Sequence, residues 1–176
     1  MNYRGPKWSL TAVVGIAAAI AIAIMMMTTG SATVQDTRNS EESNRALIAR
    51  SFEAWRTGTG SPYDLLAPDA SWTITGRSVA AKTYPTREAF MSEVIRPFNA
   101  RMRSRLVPSV RHLYAESDTV VAFFDASGTA RDGRLYDNTY AWILEMKDGR
   151  IIRAYAFFDS IAFNDLWHRV QPTPGE

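Results

Sequence analysis

The chain has 176 residues, 46% hydrophobic and 22% charged, enough to bury one good core, and no composition shift between residues 45 and 170 marks a second domain. Its formal net charge of +2 gives nucleic-acid binding little support. With no cysteine, disulfides, thiolate metal sites, a cysteine nucleophile and a lipid-modified cysteine are excluded.

Arg4 and Lys7 precede an uncharged Ala/Ile/Met-rich run at residues 10–27. That pattern is an export segment, and as a helix it would extend about 27 Å, near the low end for crossing a bilayer. Gly30, Ser31 and Ala32 offer a cleavage site, whereas the length of the run favours an uncleaved anchor. Basic residues before the run, with Asp36, Glu41 and Glu42 after it, predict the N-terminus inside and the domain outside. Taking Arg4 and Lys7 from the 20 basic residues leaves 18 against 18 acidic ones, so the exported part is electrically balanced. Residues 1–32 are thus read as export signal or single-pass anchor, 33–43 as a polar linker, 44–170 as the folded domain and 171–176 as a tail.

Ala46, Leu47, Phe52, Ala54 and Trp55 recur at helical spacing until Gly58, predicting a first helix over 41–57. Ser61 and Pro62 start a short second helix that Pro68 ends. Residues 71–75 alternate as a strand with Trp72 and Ile74 inward, and Thr86 caps a third helix over 87–95 that Pro97 ends. Strands over 103–115 and 119–126 follow, the first carrying Pro108 and therefore at an edge or bulge. A strand from Tyr136, a turn at Asp148 and Gly149, a strand from Ile151 and a helix near 160–169 complete the order ααβ-αββββα.

Alternation puts Tyr136, Asn138, Tyr140, Trp142, Leu144 and Met146 on one face of the Tyr136 strand. An apolar surface broken by a few hydroxyl and amide groups suits the wall of a small-molecule cavity. It equally suits a filled core whose tyrosine hydroxyls reach water.

This order, with SWTI at 71–74, GRLYDNTYAW at 133–142, DGRI at 148–151 and AFFDS at 156–160, resembles the SnoaL-like and ketosteroid-isomerase-like branch of the nuclear-transport-factor-two superfamily over residues 44–170. The resemblance implies an α+β fold: a cone-shaped, curved antiparallel sheet wrapped around three helices, plus a C-terminal helix. It also implies a deep pocket and a homodimer formed through the sheet's outer face. The base position of ketosteroid isomerase corresponds to Ile74, its oxyanion tyrosine to the neighbourhood of Ser51, and its partner acid to Asn138 or Tyr140. The acid of the epoxide-hydrolase and phenazine-type relatives corresponds to Ala156. Those chemistries therefore do not carry over in their known forms.

Asp159 and Asp125 are the candidate catalytic carboxylates. Asp159 sits among aromatics, where a raised pKa would suit acid–base work, yet it also precedes the last helix as an N-cap. Asp125 could reach the pocket, or pair with Arg131 or Arg134. Trp72, Ile74, Tyr136, Asn138, Tyr140 and Trp142 are the candidate ligand-binding residues, the hydroxyls and amide serving as donors to a carbonyl or enolate-like oxygen. Isolated His112 and His168 make no metal set, and without a phosphate loop, nucleophile elbow or dinucleotide fingerprint no cofactor is expected. Arg96, Arg101, Arg103, Arg105 and Arg111 form an acid-free cluster, either a solvated edge or a contact for an anionic partner.

Three functions are compatible with this pattern. The domain could bind a small, largely apolar or carbonyl-containing molecule. It could be a cofactor-independent isomerase or cyclase, or a dimerisation domain using Arg153, Tyr155 and Phe157.

Overall fold

The computed structural model describes residues 10–172, with side chains from residue 34 onward. Two compact units divide the chain, Met1–Asn39 and Ser40–Glu176. Among the described residues no helix is long and apolar enough to cross a membrane. The expected export segment, residues 1–32, lies outside the residues whose side chains are described.

Residues 33–43, expected as a polar linker, fall within helix α1 (Leu10–Thr57). From residue 31 to 57 the sequence contains neither Gly nor Pro, and close pairs such as Gln35–Asn39 and Arg45–Glu42 add local support. Ile48 and Phe52 bury one face of its last turns, and Gly58, at φ +80°, ends it. A single 3-10 turn (Pro62–Leu65) leads into β1 (Leu66–Ile74). Pro68 does not stop the chain before the strand. It sits where the pairing register slips between Leu66 and Ser71, so its missing N–H leaves no ladder bond unmade.

After the short strand β2 (Thr83–Tyr84), Thr86 caps α2 (Arg87–Phe90) by accepting from the Ala89 N–H at 3.1 Å. The helix does not end before Pro97. It widens into a π turn (Met91–Ile95) and continues as α3 (Arg96–Asn99). At the return from i→i+5 to α-helical bonding, a residue lacking an N–H is accommodated with little loss.

Strands β3 (Val107–Glu116), β4 (Thr119–Thr129), β5 (Leu135–Lys147) and β6 (Arg150–Phe158) form an antiparallel meander, followed by α4 (Ser160–Arg169). The full order is β2-β1-β6-β5-β4-β3, which puts the Pro108 strand at an edge as expected. The sheet is mixed rather than wholly antiparallel, because β1 runs parallel to β6. The β5–β6 hairpin turns on Asp148 and Gly149 at φ +51° and +72°, the primed turn whose twist matches that of the strands.

Along β5 the expected face is buried throughout, from Tyr136 to Met146. That face meets Phe52, Trp72, Phe90 and Phe98 in one continuous core.

Candidate functional site

A cavity of about 450 Å³ opens inside this core, largely walled by aromatic and aliphatic side chains. Trp72, on β1, stacks on Phe90 with centroids 4.4 Å apart and meets Trp142 edge-on at 5.0 Å. Trp142 in turn stacks on Trp55 at 5.9 Å. Such offset and edge contacts fix large flat walls without many rotatable bonds. Of the residues expected to bind ligand, Trp72, Ile74, Tyr140 and Trp142 line the cavity.

Tyr136 and Asn138 share the buried face but stand behind the wall, where they form a hydrogen-bonded chain. The Asn138 Nδ2 donates to Tyr136 Oη at 3.1 Å, and the Tyr136 and Tyr140 hydroxyls bond each other at 2.8 Å. If Tyr136 donates to Tyr140, the Tyr140 O–H is left to donate into the cavity, and the chain behind it strengthens that donor. Asn138 also holds both backbone groups of Asp159: its Nδ2 donates to the Asp159 carbonyl and its Oδ1 accepts the Asp159 N–H, each at 3.0 Å.

Tyr63 leans over the same space, in edge contact with Trp72 and Phe90. Burial pushes the phenols of Tyr63, Tyr136 and Tyr140 above their usual range, most strongly for Tyr63 and Tyr140. All three are therefore protonated donors at neutral pH. The Trp72 indole is 1% exposed, and its Nε1–H has no hydrogen-bond partner among the described residues. A buried donor left unpaired costs roughly 1–3 kcal/mol, which makes Trp72 an exception requiring a reason.

Both candidate carboxylates lie away from this cavity, in a separate polar depression that also holds Asp137 and Arg111. Asp159 is the N-cap of α4, accepting the Ile161 N–H at 2.8 Å. Asp125 accepts from Thr139 at 2.7 Å and from Arg111 at 2.5 Å, and these bonds hold its carboxyl below the usual range. Its partner is thus Arg111; Arg134 pairs with Asp165 instead. Ile74 and Ala156, where the resemblance looks for acids, are cross-strand partners in the cavity wall. Ser51 is buried and bonds the Ile48 carbonyl at 2.7 Å. Among the described residues no group of three or more His, Asp or Glu side chains is placed to hold a metal.

The arginines do not share one strand face, because β3 begins only at Val107. Arg96 pairs with Glu88, and Arg101 is buried against Trp167 and the Pro97 carbonyl. Arg105 donates from Nη1 to the carbonyls of Trp55 and Arg56, both at 2.8 Å, and so caps the end of α1. Residues 103–105 also contribute to the cavity's lining. Sequence alternation missed them because they lie in an irregular segment before β3, and the absence of acids around them was the available signal.

The sequence model described as SnoaL-like domain matches residues 41–154. Among solved structures, Bal32a from a soil-derived mobile gene cassette is 24% identical, with a TM-score of 0.59 over 73% of this chain and 98% of its own. A proposed SnoaL-like polyketide cyclase from Jannaschia sp. CCS1 is 16% identical, with a TM-score of 0.58 over 73% and 94%. IdmH, a proposed polyketide cyclase from Streptomyces antibioticus, is 23% identical, with a TM-score of 0.55 over 71% and 98%. No curated protein matches the chain.

Proposed function

The chain belongs to the SnoaL-like domain family, and we propose that this member binds a small, largely apolar molecule carrying an oxygen acceptor. The observation behind this reading is a cavity of about 450 Å³ whose largely apolar wall also carries the hydroxyl-bearing side chains of Tyr63 and Tyr140. An oxygen of the ligand would accept from the Tyr140 hydroxyl, with the Tyr63 hydroxyl available as a second donor. Flat apolar walls and a few converging donors favour a planar ketone, quinone or phenol over a flexible aliphatic chain. We place the domain outside the cytoplasm, on the strength of the apolar run at 10–27 and the basic residues before it. Protease added to intact cells would reach it there and would not if it stays inside.

Titrating tryptophan fluorescence with 2-acetylnaphthalene and with 2-ethylnaphthalene, which has no oxygen, tests the pocket. The ketone should bind about tenfold more tightly, and the double substitution Tyr63→Phe with Tyr140→Phe should remove most of that preference while largely retaining hydrocarbon binding. Equal affinity for the two probes would show that the donors are not used, and no binding of either would count against a ligand cavity.

A second reading is supported by the protonated tyrosines. A carbonyl held by Tyr140 would be polarised as in an isomerase or cyclase. Proton abstraction would then fall to Asp125 or Asp159, and it requires a substrate long enough to extend to the outer depression. Asp125→Asn and Asp159→Asn variants that turn over a trial substrate at the wild-type rate would remove this reading.

We also propose that two copies pair through the outer sheet face, where Phe157 is 47% exposed beside Tyr155 and the cross-strand residues Ala141 and Ile143. An exposed apolar band of this kind commonly marks an interface.

A further inference from the structure

Resting on the reading of the cavity as a binding site, we infer that the ligand is an amphipathic anion, its apolar body against Trp72 and Trp142 and its carboxylate or other acidic group at Arg103. The cavity lining includes two arginines, Arg103 and Arg105, and no Asp or Glu. Arg105 is committed to the carbonyls at the end of α1, whereas Arg103 is exposed and its guanidinium has no ion-pair or hydrogen-bond partner among the described residues. A cation at the solvent-exposed rim of the cavity, uncompensated by any acid of the lining, creates a positive, salt-screened potential at the mouth that favours negative charge. Neutral ligands leave that potential unused.

The rim carrying Arg103 is built rather than incidental. Its backbone N–H bonds the Thr129 carbonyl at 2.8 Å, and Ser104 Oγ accepts the Thr129 N–H at 2.8 Å, so β4 fixes both residues. Gly128 allows this approach. A Cβ there would stand 3.0 Å from the Arg105 carbonyl oxygen and 2.9 Å from Met102 Cε, closer than packing permits. The guanidinium of Arg103 therefore stands on a braced backbone.

The test is a matched pair of probes, 4-(1-pyrenyl)butyrate and its methyl ester, titrated against the full chain by pyrene fluorescence. The acid should bind about tenfold more tightly than the ester at low salt, with the gap narrowing as salt is raised. Arg103→Gln should abolish the difference by weakening the acid alone, and Arg103→Lys should restore part of it. Equal binding of acid and ester by the wild type would overturn the anion inference while leaving the cavity intact. Failure of both probes to bind would overturn the underlying cavity reading together with it.

Discussion

At the residue scale, Asn138 is a buried side chain with three hydrogen bonds to its surroundings. It was expected to touch ligand, but its three hydrogen bonds go to Tyr136 and to the backbone of Asp159. Alternation along a strand reveals which face a side chain takes, and the chain that later folds past its amide is invisible to that pattern. Asn138→Ala leaves two backbone groups and a phenol short of partners, so a loss of about 2–4 kcal/mol in urea unfolding is expected. Charge is used more locally, as where Asp132 pairs with Arg169, and that bond, first among the causes, holds its carboxyl below the usual range. A depressed native pKa adds stability above the unfolded value of about 3.9, and that stability is lost as pH falls through the native value. Asp132→Asn should therefore be less stable than wild type at pH 7 and indistinguishable from it once the pH is below the native value, read as thermal midpoints across an acid series.

Among the elements, those marked by local chemistry were the most legible. The Asp148–Gly149 turn, the Thr86 cap and the Asp159 cap each rest on a residue type that suits one backbone geometry. Elements that depend on distant pairing were not. β2 contains only Thr83 and Tyr84 and exists because it pairs with β1, while Pro68 and Pro97 read as stops until a bulge and a π turn accommodate them. Capping also bears on catalysis at Asp159. Asp159→Asn keeps an oxygen for the Ile161 N–H and should melt near wild type, whereas Asp159→Ala should lose about 1 kcal/mol. If Asp159→Asn abolished ligand turnover with the fold unchanged, its role would extend beyond the cap.

For the whole molecule, the family resemblance carried the architecture, and alternation along β1 and β5 identified Trp72, Ile74, Tyr140 and Trp142 of the cavity wall. Residues 103–105, by contrast, line the cavity from an irregular segment ahead of β3 that has no strand pairing to announce it. Charge on the outer face should report association. Phe157→Glu, on the side of β6 away from the cavity, is expected to convert a dimer to a monomer in sedimentation velocity while probe affinity is retained; a wild type that sediments as a monomer would remove the interface. The bonds from Arg105 to the end of α1 make the rim and that helix end energetically reciprocal. Whatever ligand settles against the rim should slow amide hydrogen exchange at Gly58 and Thr59, whose N–H groups close the last turn onto Trp55 and Ala54. Conversely, loosening that turn should raise the ligand's dissociation constant by the same factor, so the first helix of the domain would register whether its cavity is occupied.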